Sequence, residues 1–232
     1  MIIFGHRGAA GLAAENTLQS FRKALELGVD GIEFDVRFCG KGDDKALVVF
    51  HDKKVNRTTN GKGKLKNYSF DDLRKLDASC GRESGEVVPT LPEVCELIGE
   101  TALINIELKG KGTAQAVMEY LLSKKNTIPL NRFIISSFKF KELKKVRTLS
   151  KEVKIGVLAE RNYKSALAFS QKIVAYSFHS YVKNIKQKHI DKARKLGLKS
   201  YVFTVNLEKD FERLKNWKVD GVFTDFPDRI KS

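Results

Sequence analysis

A chain of 232 residues, 42% apolar and 31% charged, is long enough to bury one large core and too apolar to be disordered. Its net charge of +15, from 43 basic and 28 acidic residues, points to an anionic partner such as a phosphate ester, a membrane surface or a nucleic acid, or else to a generally basic solvated surface. Three cysteines (Cys39, Cys80 and Cys95) without C-x-x-C spacing suggest neither a disulfide framework nor a zinc site, and no run approaches the ~20 apolar residues of a membrane helix.

In chain order, Ile2–Gly5 reads as a short strand. Glu15–Leu27 reads as a helix, with Leu18, Phe21, Ala24 and Leu25 on one face, an Asn16/Gln19 capping pair at its start and Gly28 as its stop. Gly31–Arg37 is a strand, and a second short strand follows at Ala46–Phe50. From about 52 to 100 the pattern is irregular, with a turn at Asn60–Gly63 and short helices near Phe70–Leu76 and Leu91–Ile98. That is too long for an ordinary connection and reads as an insertion.

Regular alternation then resumes. Strands are expected at Leu103–Leu108, Arg132–Ser136, Lys154–Leu158, Ile173–Tyr176, Ser200–Val205 and Gly221–Thr224. Helices are expected at Ala114–Ser123, Phe140–Leu149, Tyr163–Gln171, Lys186–Leu196 and Leu207–Trp217. With Ile2–Gly5 and Gly31–Arg37 this makes eight strands alternating with helices, which predicts a single catalytic (β/α)8 TIM barrel over residues 1–232 with a small insertion. An open doubly wound sheet is the rival.

Alternate residues of a strand share a face. Glu33, Asp35 and Arg37 therefore point one way, and Ile32, Phe34 and Val36 the other. Asn105, Glu107 and Lys109 likewise oppose Ile104, Ile106 and Leu108. The charged faces belong inside the barrel, near its top, where carboxylates must be paired or bind a metal. An all-oxygen set of Glu33, Asp35 and Glu107 selects Mg²⁺ or Ca²⁺, with Mn²⁺ a further candidate. The rival reading is an ion-pair network with Arg7, Arg37 and Lys109. His6 and His51 fall at matching strand ends, where such barrels place their chemistry, and two imidazoles suit one base and one acid step. Arg7 and Lys109 offer positive charge to a phosphate, and Gly8 offers close backbone approach. His189 reads as exposed, and His179, just past a strand, is left without a role.

These residues resemble the glycerophosphodiester phosphodiesterase family over nearly the whole chain. His6-Arg7-Gly8, Ala14-Glu15-Asn16-Thr17, Glu33-Phe34-Asp35-Val36, His51-Asp52 with Arg57-Thr58-Thr59, Pro89-Thr90-Leu91, Glu107-Leu108-Lys109, Thr204-Val205-Asn206 and Thr224-Asp225-Phe226-Pro227 fall in the family's order. The resemblance implies a barrel with a small insertion, and one divalent cation on Glu33, Asp35 and Glu107. It implies His6 and His51 as the acid–base pair, in either order, and Arg7 and Lys109 on the phosphate. The implied reaction splits a small glycerophosphodiester into sn-glycerol 3-phosphate and an alcohol. Ala14 replaces the usual proline, Phe38–Asp44 replaces a shorter turn, and Phe203 stands where the family often has tryptophan, as a smaller wall for the alcohol. A lysophospholipase D-like activity is the alternative on the same plan. A nucleic-acid binder is disfavoured, because no motif with patterned aromatics is visible. The N-terminus runs straight into a strand without a leader pattern, and with no membrane span and few cysteines a cytoplasmic location is expected.

Overall fold

The computed structural model describes residues 1–79, 81–82 and 85–230. Its strands are β1 (Ile2–His6), β2 (Gly31–Cys39), β3 (Ala46–Val49), β4 (Leu103–Leu108), β5 (Phe133–Ser137), β6 (Lys154–Ala159), β7 (Ser177–Tyr181), β8 (Lys199–Phe203) and β9 (Gly221–Thr224). Eight of them pair in parallel around a closed ring, because β1 bonds both β2 and β9. β3 lies outside the ring, antiparallel to β2, with Val36 opposite Val49 and Cys39 opposite Ala46. The expected (β/α)8 barrel is therefore the fold.

The helices are α1 (Leu18–Glu26), α2 (Phe70–Arg74), α3 (Leu91–Ile98), α4 (Thr113–Leu121), α5 (Phe140–Leu149), α6 (Tyr163–Lys172), α7 (Gln187–Lys195) and α8 (Glu208–Asn216). No helix of the described residues is long and apolar enough to cross a membrane. The principal core fills the layer between strands and helices. Ile32, Phe34 and Val36 of β2 and Ile104, Ile106 and Leu108 of β4 are buried there, and Phe34 meets Phe21 of α1 with ring centroids 5.7 Å apart. Inside the ring a small aromatic plug, Phe4, Tyr201 and Phe223 with Ile134, closes the lower end. A separate cluster of Cys39, Val48, Phe50, Val55, Leu65, Leu73, Ala78 and Val88 underlies the loops between β3 and α3. α3 itself starts with a full capping box, Thr90 and Glu93 exchanging bonds, and packs into the principal core.

Two local expectations change, and Gly8 gains a packing role. Helix α1 is capped by Thr17, whose Oγ accepts from the Ser20 N–H at 3.2 Å, and not by Asn16. Asn16 sits at φ 58° and turns its amide onto Asp35 instead. The sixth barrel strand is Ser177–Tyr181, not Ile173–Tyr176. The apolar run belongs to the end of α6, where Ile173 N–H still bonds Phe169 carbonyl and Val174 reverses the chain at φ 51°. Gly8 is used for packing: a Cβ there would lie 2.4 Å from Ser20 Oγ, so its absence lets the loop after β1 lie against α1. Cys39 and Cys95 are buried free thiols, and Cys80 lies outside the described residues.

Candidate active site

Strand register builds the centre of the site. β2 and β4 align Glu33 with Asn105 and Asp35 with Glu107, and β1 aligns His6 with Glu33. Period-2 alternation turns these side chains inward while the aliphatic residues between them face the helices. Glu33, Asp35 and Glu107 each offer an oxygen within 4.8 Å of the others, and all three are buried.

Such crowding has electrostatic consequences. Burial, then repulsion from Asp35 and Glu107, pushes the Glu33 carboxyl well above its ordinary range. Burial and the Asp35 charge push Glu107 up to about 7. Burial alone would also raise Asp35, but Arg7, Lys109, His51 and the Asn16 amide outweigh it and hold Asp35 below the ordinary range. Asp35 is thus the anion of the cluster, bonded through Oδ2 to Asn16 at 3.0 Å. Its buried Oδ1 has no hydrogen-bond donor, lying 3.5 Å from Lys109 Nζ. Three converging carboxylates, one with an unused buried oxygen and two held toward protonation by burial and then by carboxylate repulsion, fit a hard divalent cation.

Cations stand around this core. Lys109 Nζ donates to Glu107 Oε1 at 2.8 Å. The Arg7 N–H donates to Glu33 Oε2 at 3.0 Å, its guanidinium bonds Glu15 at 2.7 Å, and its Nε lies 3.2 Å from Asp35. Burial would lower Arg7, but Asp35, Glu15 and Glu33 hold it above its ordinary value, so it stays charged.

Both histidines are backed by aspartate. His6 Nδ1 lies 2.6 Å from Asp225, and its Nε2 lies 3.9 Å from Glu33 Oε2, facing the acidic cluster. Asp225 is itself held by the Asn206 amide at 2.6 Å. His51 Nδ1 lies 2.5 Å from Asp52, and Arg57 grips Asp52 from the other side at 2.8 Å. Burial pulls His51 below its ordinary value. Arg57 also bonds Glu15 at 2.6 Å. A continuous ion ladder therefore runs from Arg7 through Glu15 and Arg57 to Asp52 and His51, joining the loop after β1 to the loop after β3. Arg37 braces the next strand end, donating to the carbonyls of His51 at 2.5 Å and Lys109 at 3.3 Å.

Phe203 closes the far wall. It lines one narrow cavity with His6, Glu33 and Glu107, and its ring lies 5.9 Å from both Phe138 and Tyr181. The structure thus gathers His6, Arg7, Glu33, Asp35, His51, Glu107, Lys109 and Phe203 at one end of the barrel. Sequence reasoning gave no site role to Asp225, Asp52, Glu15, Arg57 or Asn206, and read Asn16 only as a helix cap. Asp52 directly follows a singled-out histidine and was within reach; the others need contacts that no periodicity encodes. His179 lies within β7, fully inside the barrel, bonded to Ser177 Oγ at 2.8 Å and touching the Tyr201 and Phe223 rings. Burial pushes it down to about 3, so it is neutral.

Comparison with known proteins agrees with this geometry. The model of the glycerophosphoryl diester phosphodiesterase family matches residues 6–229. A glycerophosphodiester phosphodiesterase of Caldanaerobacter subterraneus subsp. tengcongensis is 37% identical over 242 aligned residues, covering 99% of this chain and 96% of its own. One from Bacillus altitudinis is 36% identical, covering 98% and 95%. An Oleispira antarctica phosphodiesterase, solved in complex with the product sn-glycerol-3-phosphate, superposes with a TM-score of 0.89 at 29% identity over 99% of this chain and 95% of that one. Fold, family profile and full-length relatives converge: the chain belongs to the glycerophosphoryl diester phosphodiesterase family and is a phosphoric diester hydrolase acting on glycerophosphodiesters.

Proposed function

We propose that this hydrolase uses a divalent cation on Glu33, Asp35 and Glu107, and His6 and His51 as proton carriers, to release sn-glycerol 3-phosphate and an alcohol. The observation that carries the reading is the matched pair of aspartate-backed imidazoles flanking one buried carboxylate triad. When bound, the ion supplies positive charge to a phosphate oxygen. Arg7 and Lys109 contact the same phosphate and stabilise the charge that builds on it as the new P–O bond forms.

An aspartate on Nδ1 fixes that nitrogen as the N–H donor and leaves Nε2 for the substrate. His6 Nε2, the ring atom turned toward the triad, takes the proton from the nucleophile, either a water or the neighbouring glycerol hydroxyl. His51, charged by a proton on Nε2 and stabilised by Asp52, gives it to the departing alcohol oxygen as the P–O bond breaks. A hydroxyl attack gives a cyclic phosphate, which water then opens with the two roles reversed. Phe203 packs against the alcohol.

The test is a coupled assay for glycerol 3-phosphate across glycerophosphodiesters and lysophospholipids, with Mg²⁺, Ca²⁺ and Mn²⁺ in turn. Glycerol 3-phosphate release that chelator abolishes and added metal restores is the expected result. Full activity after thorough metal stripping would overturn the metal assignment. Faster turnover of lysophospholipid than of glycerophosphocholine would replace the small-diester substrate with the lysophospholipase D-like one.

A further inference from the structure

A second, larger groove of roughly 650 Å³ opens beside the site, a size suited to a small-molecule moiety. Its lining is unusually one-sided. Lys53 and Lys54 follow directly on His51 and Asp52, and Lys64 and Lys66 face them from the next loop, where Lys54 and Lys64 form a bridge. Lys111 follows two residues after Lys109, and Lys41 and Lys45 come from the turn between β2 and β3. All seven are exposed, and none forms an ion pair among the described residues. Asp43 and Asp44 sit on that same turn but do not line the groove. Phe38 forms the apolar floor, with Lys45 Nζ 5.6 Å from its ring centroid.

The groove adjoins the catalytic end through Arg37. Arg37 lines it, and the same guanidinium holds the carbonyls of His51 and Lys109. Seven ammonium groups around one concavity repel one another, and a bound polyanion relieves that repulsion. The catalytic end already accounts for the one phosphate of a simple glycerophosphodiester, so the groove has positive charge left for more.

We infer that the groove receives the alcohol side of the substrate, and that it selects alcohols carrying a further phosphate. This rests on the glycerophosphodiester reading above. The phosphate to be cleaved sits at the triad, and the second phosphate lies among the groove lysines, over the edge of Phe38.

The test compares glycerophosphoglycerol with the same compound bearing a terminal phosphate on its leaving glycerol. The enzymes are wild type, the triple variant Lys54→Glu/Lys66→Glu/Lys111→Glu, and its neutral counterpart with Gln at the three positions. Wild type should prefer the phosphorylated compound about tenfold or more in kcat/KM. The preference should shrink in the Gln variant and vanish or invert in the Glu variant, while glycerophosphoglycerol turnover stays within about twofold. Equal wild-type turnover of the two, or a preference that survives charge reversal, overturns the inference. So does an unchanged preference accompanied by loss of binding to duplex DNA or to phosphatidylglycerol vesicles, which would assign the groove to those surfaces. No glycerophosphoglycerol turnover by metal-loaded wild type would instead overturn the catalytic reading, and the groove assignment with it.

Discussion

The two sides of the barrel interior are made of opposite materials. The wall from β1, β2 and β4 carries Glu33, Asp35, Glu107, Lys109 and the loop residue Arg7, all buried or nearly so. The wall from β7, β8 and β9 carries Ser177, His179, Tyr201 and Phe223, uncharged and fully buried. Each is stable for a different reason. The first balances charges against one another at short range, and the second excludes charge. In the proposed mechanism, substrate chemistry belongs to the first wall, while the second supplies shape and a low-polarity backing that strengthens the fields opposite it.

The sharpest way to break this contrast is inside the charged wall. Asp35 is the shared partner of Arg7 and Lys109. Asp35→Asn should leave two buried cations short of an anion, cost about 3–5 kcal/mol of stability and abolish turnover. Glu107→Gln should also lower kcat, on the order of 10³-fold if several kcal/mol of cation-borne stabilisation is lost. Yet it should leave the metal-free protein as stable at pH 8 or more so, since a repelling charge is gone. Equal destabilisation by the two variants in thermal melts would show that the triad is not the strained cluster described here.

Next in size is the proton relay. His6→Ala and His51→Ala should each lower kcat by about 10²–10⁴-fold with little change in melting temperature. Loss of folding in either variant would assign that histidine to structure.

The walls should also respond oppositely to pH. Glu107 has its folded value raised from 4.5 to about 7, so the folded metal-free protein holds that proton more tightly than the unfolded chain. Its contribution to stability is lost as pH rises through that window. His179 has its folded value lowered from 6.5 to about 3, so its contribution is lost as pH falls through that window. Melting curves of the stripped protein from pH 3 to 8 should flatten between 4.5 and about 7 in Glu107→Gln and between about 3 and 6.5 in His179→Gln. The stabilisation on adding Mg²⁺ or Ca²⁺ should grow from pH 5 to 8, because the ion displaces protons. A pH-independent increment would separate the ion from these carboxylates.

The smallest effect belongs to the aromatic rim. Phe203→Ala should raise KM a few-fold for bulky alcohols and leave kcat nearly unchanged for small ones, measured across leaving groups.

Much of the charged wall was legible in the sequence, and little of the neutral one. Glu33/Asp35 and Glu107/Lys109 alternate with aliphatic residues, so strand period alone turned them inward. The β7 side lacks that contrast. Its inner face is Ser177 and His179, while the apolar run that looks like a strand, Ile173–Tyr176, ends a helix. A barrel interior admits small polar groups that a sheet packed on both faces by helices would not, so hydrophobicity misplaces the strand by four residues. Asp225 and Glu15 were hidden for another reason. Asp225 reaches His6 across 219 positions and Glu15 reaches Arg57 across 42, distances over which local pattern carries no information.

The ion ladder from Arg7 to His51 has a consequence for inheritance. The loop after β1 and the loop after β3 lie far apart in the gene but share Glu15 as a common hinge pin. A substitution at Arg57 changes what Glu15 can offer Arg7, and one at Arg7 changes what Glu15 can offer Arg57. In descent, the two loops are therefore one unit of variation, free to drift together and costly to recombine with loops from a different parent.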